Sequence, residues 1–522
     1  MSAAAAPTVP AAVQAVPTRH IVAFFFMVFG MFMAILDIQI VSSSLAEIQA
    51  GISASADEIP WVQTSYLVAE VVMIPLSGTL TRIFSTRWLF VAACASFTLM
   101  SLMCALSSSI GEMMVWRALQ GFLGGAMIPT VFATSFTVFP PRLRNVISPV
   151  IGLIATLAPT IGPTVGGYLT SIYSWHWLFL VNIVPGIIVT IGTWATIDFD
   201  KPNFKLIRSF DWLGMIVLAF FLGSLEYILE EGAADDWLNS DIIRNLMMIC
   251  VVSGTIFFWR MFTKPNPLVD FHAFTNRNFT AGCIFSFTMG IGLYGLTYLY
   301  PVYLGRVQNY SSMQIGTTMF VTGIAMFLTA PIAGRLSGKI DPRIMIGGGF
   351  LGFALGTWQA HYIDSTWAFW ELLIPQILRG VSLMMCMVTV TNVSLGTLTP
   401  TMMRGGSGLF NLTRNLGGAV GLALINTIMN QRFDLHLQRL HEDVTWSSAQ
   451  ANQTVQDMTF AFSKLGSNAN LAALRQVSLL VRRQAFTLAI ADIFFLLTII
   501  FFSIILLLPL LQKPKPQGGG GH

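Results

Sequence analysis

Charged residues are scarce in this sequence: Asp, Glu, Lys and Arg make up 10% of its 522 residues. A soluble domain carries about 25%, so the composition argues against a soluble enzyme, and no nucleic-acid partner is expected. Hydrophobic residues account for 54% of the chain instead. Runs of roughly 20 apolar residues, the length that a membrane-spanning helix needs, recur along almost the whole sequence. The composition therefore predicts a polytopic membrane protein.

Cysteine is scarce as well, and all five cysteines fall inside apolar runs. None has the spacing of metal ligands or lies in a loop that a disulfide could staple, so we expect no metal site and no disulfide. The chain also lacks a phosphate loop of the Gly-x-x-x-x-Gly-Lys type and a His-Glu-x-x-His motif. We therefore expect no cofactor, no enzymatic activity and no ATP hydrolysis, and an ion gradient as the energy source.

The apolar runs predict an all-α membrane protein with fourteen spanning helices. Their centres fall in 21–43, 61–80, 88–107, 112–137, 146–171, 177–195, 212–230, 243–262, 281–304, 315–334, 344–361, 368–395, 407–429 and 486–511. Basic residues gather in alternate connections, whereas the intervening short loops are acidic, so the positive-inside rule places both termini in the cytoplasm. The long segment 430–485 carries both signs of charge, and we predict that it forms an external helical cap.

Two stretches of the sequence resemble each other. Gly78–Arg87 and Gly334–Arg343 share Gly, Leu, Thr or Ser, and Arg at a constant offset, and each follows the second helix of a six-helix block. Duplicated six-helix halves are typical of transporters. The predicted organisation is a disordered cytoplasmic N-terminus (1–20), an N-terminal half (21–195), a linker with two inserted helices (196–265), a C-terminal half (266–511) and a cytoplasmic tail (512–522).

Three ionisable residues lie inside predicted helices at related depths. At 1.5 Å per residue, Asp37 lies about 24 Å from the cytoplasmic start of the first helix, and Arg117 lies roughly 8–10 Å below the outer end of the fourth, so the two can meet. They form either a static ion pair that locks the helices or a titrating carboxylate beside a fixed cation, which suits proton coupling. Glu70 on the second helix is a second proton-coupling candidate, or an acid that only solvates a cavity.

The fifth predicted helix combines glycine with proline. Gly162 and Gly166 lie on one face at a spacing that lets another helix approach closely, and Pro159 and Pro163 remove backbone donors and bend the helix. Tight packing is one explanation of this pattern. The other is a conformational hinge and seal between the two halves, formed by Gly162–Gly167.

Other polar and aromatic side chains inside predicted helices are candidates for a substrate cavity. Tyr294 and Tyr298 share a helix face and form either an interfacial belt or an aromatic wall for apolar ligands. Arg379 lies near mid-membrane, where a position facing the lumen is expected. The full set of cavity candidates is Glu226, Tyr294, Tyr298, Arg379, Asn411, Arg414 and Asp492.

These motifs together resemble the major facilitator superfamily, and within it the fourteen-helix drug:proton antiporters of the EmrB/QacA type. The stretch LDIQIVSSSLA is similar to the first-helix motif of that family, whose acid falls on Asp37. The stretch WRALQGFLGGAMIP is similar to the fourth-helix motif. The arginine of that motif falls on Arg117, and its Gln-Gly pair falls on Gln120 and Gly121. The likeness extends over nearly the whole chain.

Two further motifs support the resemblance. APTIGPTVGGYL is similar to the antiporter motif of the fifth helix, and PLSGTLTRIFSTR is similar to the loop motif that follows the second helix. The loop motif contains Gly78, Arg82 and Arg87. Arg82 and Ser85 occupy places that the family often fills with Asp and Gly, so the acidic gating contact usually assigned to this loop is not expected from the loop itself.

The resemblance implies a proton-coupled antiporter of the bacterial inner membrane that exports hydrophobic or amphiphilic drugs by alternating access. It implies Asp37 as the proton-coupling acid, with Arg117 as its electrostatic partner. For a Gram-negative source it also implies a periplasmic adaptor protein and an outer-membrane channel as partners, beside protons, small amphiphilic substrates and membrane lipid. Two other functions stay open: proton-coupled transport of a specific metabolite, such as a fatty acid or siderophore, and a non-transporting membrane receptor or scaffold.

Overall fold

The computed structural model describes residues 16–55, 58–264, 267–445 and 447–512. Within these ranges the regular secondary structure is helical throughout, as the apolar runs predict. Residues 1–15 and 513–522 of the predicted tails lie outside the described ranges. The helices are α1 (Thr18–Ser42), α2 (Leu45–Ile52), α3 (Trp61–Leu106), α4 (Ile110–Gly124), α5 (Met127–Thr137), α6 (Pro141–Ile172), α7 (Trp177–Leu180), α8 (Ile183–Thr196), α9 (Trp212–Glu231), α10 (Asp241–Thr263), α11 (Arg277–Arg306), α12 (Ser312–Ser337), α13 (Pro342–Ala360), α14 (Phe369–Gly396), α15 (Pro400–Asp443), α16 (Ala449–Ala461) and α17 (Ala469–Ile505).

Eleven of the described helical stretches are long and apolar enough to cross a membrane. One of them, α3, has 46 residues and would be roughly 70 Å long, more than twice the thickness of the hydrocarbon core. Its backbone leaves the helical conformation at Ser85, where φ is 75°, and this break allows two crossings. Helices α13 and α15 coincide with predicted spans but are not among the eleven. The count of fourteen spans therefore stays a prediction.

Both helices that flank the predicted external segment are longer than their apolar cores. Helix α15 continues to Asp443 and α17 begins at Ala469, whereas hydropathy places these ends near 429 and 486. No Gly or Pro interrupts 422–443 or 469–485, so the helical hydrogen bonds continue into polar sequence. Helix α16 lies between them in the chain and packs against α17.

Each predicted half contains a glycine that lets two of its helices approach closely. A Cβ atom at Gly121 of α4 would overlap the backbone oxygen of Tyr66 on α3. A Cβ atom at Gly380 of α14 would lie 2.6 Å from the backbone oxygen of Thr322 on α12. Tyr66 and Thr322 have the same separation in the chain as the two repeated loop stretches. The partners on α3 and α12 therefore keep the register of the sequence repeat, whereas the two glycines, on α4 and α14, are three residues out of it.

The two predicted halves touch at their predicted cytoplasmic ends. Ser148 Oγ donates to Asn392 Oδ1 at 2.6 Å, and Ser407 Oγ donates to the backbone oxygen of Pro129 at 3.1 Å. Each of these bonds joins one half to the other. Helix α6 also packs against α12 and α14, and α3 packs against α15. This end of the interface is therefore closed in the structure.

Helices α9 and α10 coincide with the two predicted inserted helices. They pack against each other, and α9 also contacts α3 in the first half and α15 in the second. Asp211 at the start of α9 accepts from Arg260 Nη2 near the end of α10 at 2.5 Å. Trp259 and Phe262 of α10 are exposed, as expected for side chains that face lipid. The inserted pair thus lies against both halves and presents its outer helix to the membrane.

Candidate functional site

Asp37 and Arg117 form a fully buried ion pair inside the first half. Arg117 Nη1 donates to Asp37 Oδ2 at 2.6 Å, and neither side chain has exposed surface. Two amides donate to the other carboxylate oxygen: Asn182 Nδ2 at 2.7 Å and Gln120 Nε2 at 3.3 Å. One carboxylate therefore joins α1, α4 and the residue that precedes α8.

Arg117 has further contacts that do not involve the acid. Its Nε donates to the backbone oxygen of Val62 at 3.0 Å, and Nη1 also donates to Gln120 Oε1 at 2.8 Å. The guanidinium carbon lies 4.2 Å from the centre of the Tyr66 ring. A buried cation is costly unless hydrogen bonds and opposite charge surround it. These contacts hold the guanidinium in place whether or not Asp37 carries its charge.

The sequence motifs point to Asp37, Arg117 and Gln120 but not to Asn182. The available signal was a single amide in the apolar stretch WLFLVNIVPG, because a buried amide usually has a hydrogen-bond partner. Asn182 Nδ2 also donates to Ser101 Oγ on α3 at 3.1 Å. The amide thus ties the carboxylate to a third spanning helix.

Glu70 on α3 lies between the two halves. It is 3% exposed, and its Oε1 has no hydrogen-bond partner in the part of the chain that the structure describes. Its carboxylate lies within electrostatic range of Arg117 in its own half and of Arg414 on α15 in the other half. An acid that faces cations of both halves experiences a different charge environment when the halves move.

Arg414 is held at the interface by its own helix and by the first half. Its Nη2 donates to Asn411 Oδ1 at 2.7 Å, and its Cζ lies 5.4 Å from the centre of the Phe132 ring on α5. Tyr294 on α11 lies within electrostatic range of both Arg414 and Glu70. The structure therefore brings together four of the predicted site residues at the interface between the halves, namely Glu70, Tyr294, Asn411 and Arg414.

Glu226 and Tyr298 border the same region. Glu226 on α9 is 6% exposed and lies within electrostatic range of Glu70 and Tyr294. Tyr298 lies one turn beyond Tyr294 on α11 and is partly exposed. The inserted helix α9 thus contributes an acid to the interface between the two halves.

Arg379 on α14 immediately precedes the close-packed Gly380, as Gln120 precedes Gly121 on α4. It donates to Thr297 Oγ1, and its Cζ lies 5.8 Å from the centre of the Tyr300 ring. Its Nε and Nη1 have no hydrogen-bond partner among the described residues. The second half therefore holds a buried cation where the first half holds an amide.

The structure places Asp492 away from this interface. Its carboxylate lies 2.8 Å from His436 Nε2 and 3.6 Å from Arg432 Nε. Both partners belong to the extension of α15 that the charge pattern assigns to the external segment. Asp492 therefore joins α17 to that extension, and we do not include it in the site.

The glycine face of α6 packs inside its own half. A Cβ atom at Gly162 would overlap a side chain of α1, and a Cβ atom at Gly166 would lie 2.8 Å from the backbone oxygen of Ile40 on α1. Helix α6 meets the other half through Thr164, which lies against Gly316 of α12. The small residues that allow contact between halves here therefore lie on α12, whereas those of α6 clamp α1. Pro159, Pro163 and Gly167 lie within the same continuous helix.

The loop within α3 makes its acidic contact through a residue from elsewhere. Ser85 has φ 75°, a conformation that favours glycine, at the place that the family motif often fills with Gly. Asp200 accepts from the backbone N–H of Thr86 at 2.9 Å and from Arg404 Nη2 at 2.8 Å. Arg404 lies at the start of α15. Asp200 thus supplies the acid that is missing at Arg82, and it links the two halves.

The other residues of the loop motif have separate surroundings. A Cβ atom at Gly78 would lie 2.7 Å from the backbone oxygen of Arg404, so this glycine allows the close approach of α3 and α15. Arg82 is exposed. The Arg87 Cζ lies 5.7 Å from the centre of the Trp194 ring on α8, so Arg87 packs within the first half.

Asp200→Asn is expected to loosen the closed end of the interface. The substitution removes the charge that holds Arg404, and a hydrogen bond to a charged group contributes about 1.5 kcal/mol, which corresponds to roughly tenfold in an equilibrium. A cysteine at Ser407, which is buried against Pro129, should then react about tenfold faster with a maleimide. The matched control is Asp198→Asn. Asp198 is exposed, and its ion pair with Arg19 is long, at 3.7 Å. Equal labelling rates in both variants would contradict the link.

Comparison with known proteins agrees with this architecture. The family model of the Major Facilitator Superfamily matches residues 27–422. A colistin resistance protein EmrB from Acinetobacter baumannii is 42% identical over 91% of this chain and 93% of its own length. The multidrug export protein EmrB of Escherichia coli K12 is 28% identical over 94% of this chain and 95% of its own.

The fold is also found in a solved structure. The human organic anion transporter MFSD10 (TETRAN) matches 92% of this chain and 99% of its own with a TM-score of 0.57. Its sequence identity is 12%, so this likeness concerns the fold alone. The family model and the EmrB sequences, by contrast, extend over most of the chain. The chain therefore belongs to the major facilitator superfamily, in its EmrB-type branch of multi-pass bacterial inner-membrane transporters.

Proposed function

We propose that this protein exports hydrophobic or amphiphilic drugs across the inner membrane in exchange for protons, by alternating access. The observation that carries the proposal is the fully buried Asp37, which Arg117, Gln120 and Asn182 hold with three donor atoms from two chain segments. An intramembrane carboxylate is costly and usually serves an ion pathway. The related proteins are named for colistin resistance and multidrug export, which supports drugs as the substrate class.

The proposed coupling step is a change in the charge of Asp37. When the carboxylate takes up a proton, its attraction to Arg117 is lost, while Arg117 keeps its bonds to Val62 and Gln120. Helix α1 is then held less strongly to α4. Because Gly166 keeps α6 in close contact with α1, a movement of α1 carries α6 with it. Helix α6 packs against α12 of the other half, so the movement of α1 and α6 is transmitted to the interface between the halves.

Glu70 is the second proposed coupling acid. It lies between Arg117 and Arg414, so rocking of one half against the other changes the cation that it faces. An acid that faces a different cation in each conformation favours one conformation over the other when its own charge changes. In this scheme Asp37 controls the geometry inside the first half, and Glu70 senses the distance between the halves.

We also propose that the external segment contacts a periplasmic adaptor, which in turn meets an outer-membrane channel. Phe460 on α16 and Leu471 on α17 are 82% and 70% exposed, and both lie outside the apolar cores of the spanning helices. Exposed large apolar side chains of this kind are typical of interaction surfaces. The segment precedes the last spanning helix, in the position that corresponds to the external segment of EmrB.

Substrate-driven proton movement is expected to depend on Asp37. In proteoliposomes with a trapped pH dye, adding ethidium, a fluorescent amphiphile, to the wild type should produce a proton flux, because export is coupled to protons. Asp37→Asn should reduce this flux at least tenfold, since an amide cannot carry the proton. Ethidium binding, measured by fluorescence anisotropy, should persist in the variant.

The matched control is Glu112→Gln, which changes an exposed acid at the start of α4, the helix that carries Arg117, and should leave the proton flux unchanged. Equal flux in wild type and Asp37→Asn would overturn the assignment of Asp37 and transfer the role to Glu70. A wild type that binds ethidium without any proton movement would contradict proton coupling and favour a receptor.

A further inference from the structure

The connection that leads from the first half into α9 contains a short amphipathic segment. Phe204–Ser209 forms a 3₁₀ helix, in which side chains three residues apart lie above one another. Phe204 and Ile207 are 57% and 38% exposed and form an apolar face. Lys205 and Arg208, each one residue further along, are exposed as well and form a basic face. Aromatic and basic side chains in this arrangement are typical of segments that lie in the headgroup region of a membrane.

This amphipathic segment packs against the loop within α3. The backbone N–H of Asn203 donates to the backbone oxygen of Ile83 at 2.8 Å, and the Phe204 and Phe84 rings meet edge to face with their centres 6.2 Å apart. Arg82 is the chain neighbour of Ile83 and is exposed. The contact therefore brings the basic residue of the loop to the same surface as the basic face of the segment.

The basic residues of this surface have no acidic partners, whereas the nearest acids in the connection are already paired. Arg82, Lys205 and Arg208 make no ion pair and no side-chain hydrogen bond within the part of the chain that the structure describes. Asp200 is held by a basic residue of α15, and Asp211 by one of α10. Excess positive charge therefore faces the cytoplasmic leaflet, where it attracts anionic headgroups.

An apolar groove lies on the membrane side of this basic surface. It has a volume of about 280 Å³ and lies between α3, α4 and α9. Its lining is made of apolar side chains, namely Val72, Phe122, Met215, Ile216, Ala219 and Phe220. Ile216 and Phe220 are about half exposed, so the groove opens toward the lipid.

The depth of the groove matches one leaflet of the membrane. Met215 lies three residues beyond Trp212 and Phe220 lies eight beyond it, so at 1.5 Å per residue the groove extends from about 5 to about 12 Å along α9. The hydrocarbon of one leaflet is roughly 15 Å thick. The groove therefore lies at the level of the acyl chains of the cytoplasmic leaflet.

Trp212 lies between the basic surface and the groove. Its side chain is 59% exposed, and its ring centre lies 4.8 Å from that of Phe210. Tryptophan is enriched at the level where headgroups meet the hydrocarbon. The surface thus presents cations on the headgroup side of this level and an apolar groove on the other, which are the complements of a phosphate and an acyl chain.

We propose that the basic surface and the groove together bind one anionic phospholipid of the cytoplasmic leaflet, with its phosphate at Arg82, Lys205 and Arg208 and an acyl chain along α9. Guanidinium groups bind phosphate through paired hydrogen bonds. The proposal gives a reason for a basic residue at position 82, since an acid there would repel the phosphate. It goes beyond the proposed export function and does not depend on it.

The test is binding of phosphatidylglycerol to the delipidated full-length protein in detergent, followed by native mass spectrometry. Phosphatidylcholine with the same acyl chains is the comparison, because its headgroup has no net charge. The wild type should bind phosphatidylglycerol more tightly. Lys205→Gln/Arg208→Gln should weaken that binding at least about tenfold, because attraction to anionic lipid contributes about fivefold per basic residue. Binding of phosphatidylcholine should stay unchanged. Equal binding of the two lipids by the wild type would overturn the proposal.

The matched control for charge is Arg335→Gln/Lys339→Gln in the second half. Both residues are exposed, and they lie in the stretch that repeats Gly78–Arg87. The control removes two positive charges from the same predicted side of the membrane and should leave the binding of both lipids unchanged. A loss as large as that of the Lys205/Arg208 variant would show that only overall charge attracts the lipid, and it would overturn the site.

The groove is tested separately from the charges. Ala219→Phe fills it and should weaken binding of both lipids about tenfold, because part of the acyl chain loses its apolar contact. Ala219→Leu should cause an intermediate loss. The unfolding midpoint measured without lipid should match that of the wild type in both variants, which separates loss of binding from loss of folding. Unchanged lipid binding in Ala219→Phe would overturn the groove as the acyl-chain site.

A free phosphate compound is the remaining alternative to a lipid. Glycerol phosphate carries the same phosphate without an acyl chain, and it should not displace phosphatidylglycerol from the wild type. Displacement at concentrations equal to that of the lipid would show a site for soluble phosphate compounds and would overturn the lipid as the occupant.

Discussion

Arg117→Ala should destabilise the protein by about 3–5 kcal/mol, the range found when one partner of a buried ion pair is removed. The substitution leaves Asp37 fully buried without its cation and removes the bonds to Val62 and Gln120. It also leaves a cavity beside the Tyr66 ring. The thermal unfolding of the purified protein in detergent, followed by intrinsic fluorescence, should show a midpoint many degrees below that of the wild type.

The double variant Asp37→Asn/Arg117→Gln separates charge from packing. It removes both charges and replaces them with neutral groups that can hydrogen-bond to each other, so it should be more stable than Arg117→Ala alone. Asp37→Asn by itself leaves Arg117 buried without its counter-charge but with two other hydrogen bonds, so its unfolding midpoint should lie between those of Arg117→Ala and the wild type. Equal unfolding midpoints for Arg117→Ala and the wild type would show that the pair contributes nothing to the fold.

Gly121→Ala should be as damaging, although it adds one methyl group. The added Cβ atom would overlap the backbone oxygen of Tyr66, and a backbone atom of a packed helix cannot rotate away as a side chain can. We expect a loss of about 3 kcal/mol, the upper end of the cost of overpacking. The measurements are the yield of monodisperse protein in size-exclusion chromatography and the unfolding midpoint.

Gly111→Ala is a matched control on the same helix. No atom lies within 4 Å of a Cβ atom at Gly111, and the residue is exposed. The variant should be neutral or more stable by up to about 1 kcal/mol, because alanine favours the helix over glycine. If both glycine variants behave alike, close approach is not the reason for Gly121. Gly380→Ala should repeat the loss in the second half, where the Cβ atom meets Thr322.

The sequence was sufficient for the features that depend on local pattern. Apolar runs predict α1 and the other spanning helices, because hydropathy reports directly on the cost of placing a segment in lipid. Helix rise alone put Asp37 and Arg117 at compatible depths, and the structure joins them at 2.6 Å. The family motif also singles out Gly121, but not the backbone of Tyr66 that lies against it.

The features that the sequence did not reveal depend on which segments become neighbours. Asp200 bonds to Thr86 and Arg404, which lie far from it in both directions of the chain. Its only signal was that it is one of two acids, with Asp198, in a mostly basic cytoplasmic connection. Asn182 was missed for the same reason. The glycines of α6 show that small residues predict close packing but not the partner, since α1 and not the other half lies against Gly166.

The distribution of buried charge has an electrical consequence. In the second half Arg379 and Arg414 are cations inside the span, whereas in the first half Asp37 cancels Arg117 and Glu70 adds a further acid. Moving one elementary charge through the full membrane potential corresponds to about 2.3 kcal/mol per 100 mV. In the proposed rocking movement these charges would travel part of that distance. The resting voltage would then do work on the conformational change itself, separately from the work done by the pH difference.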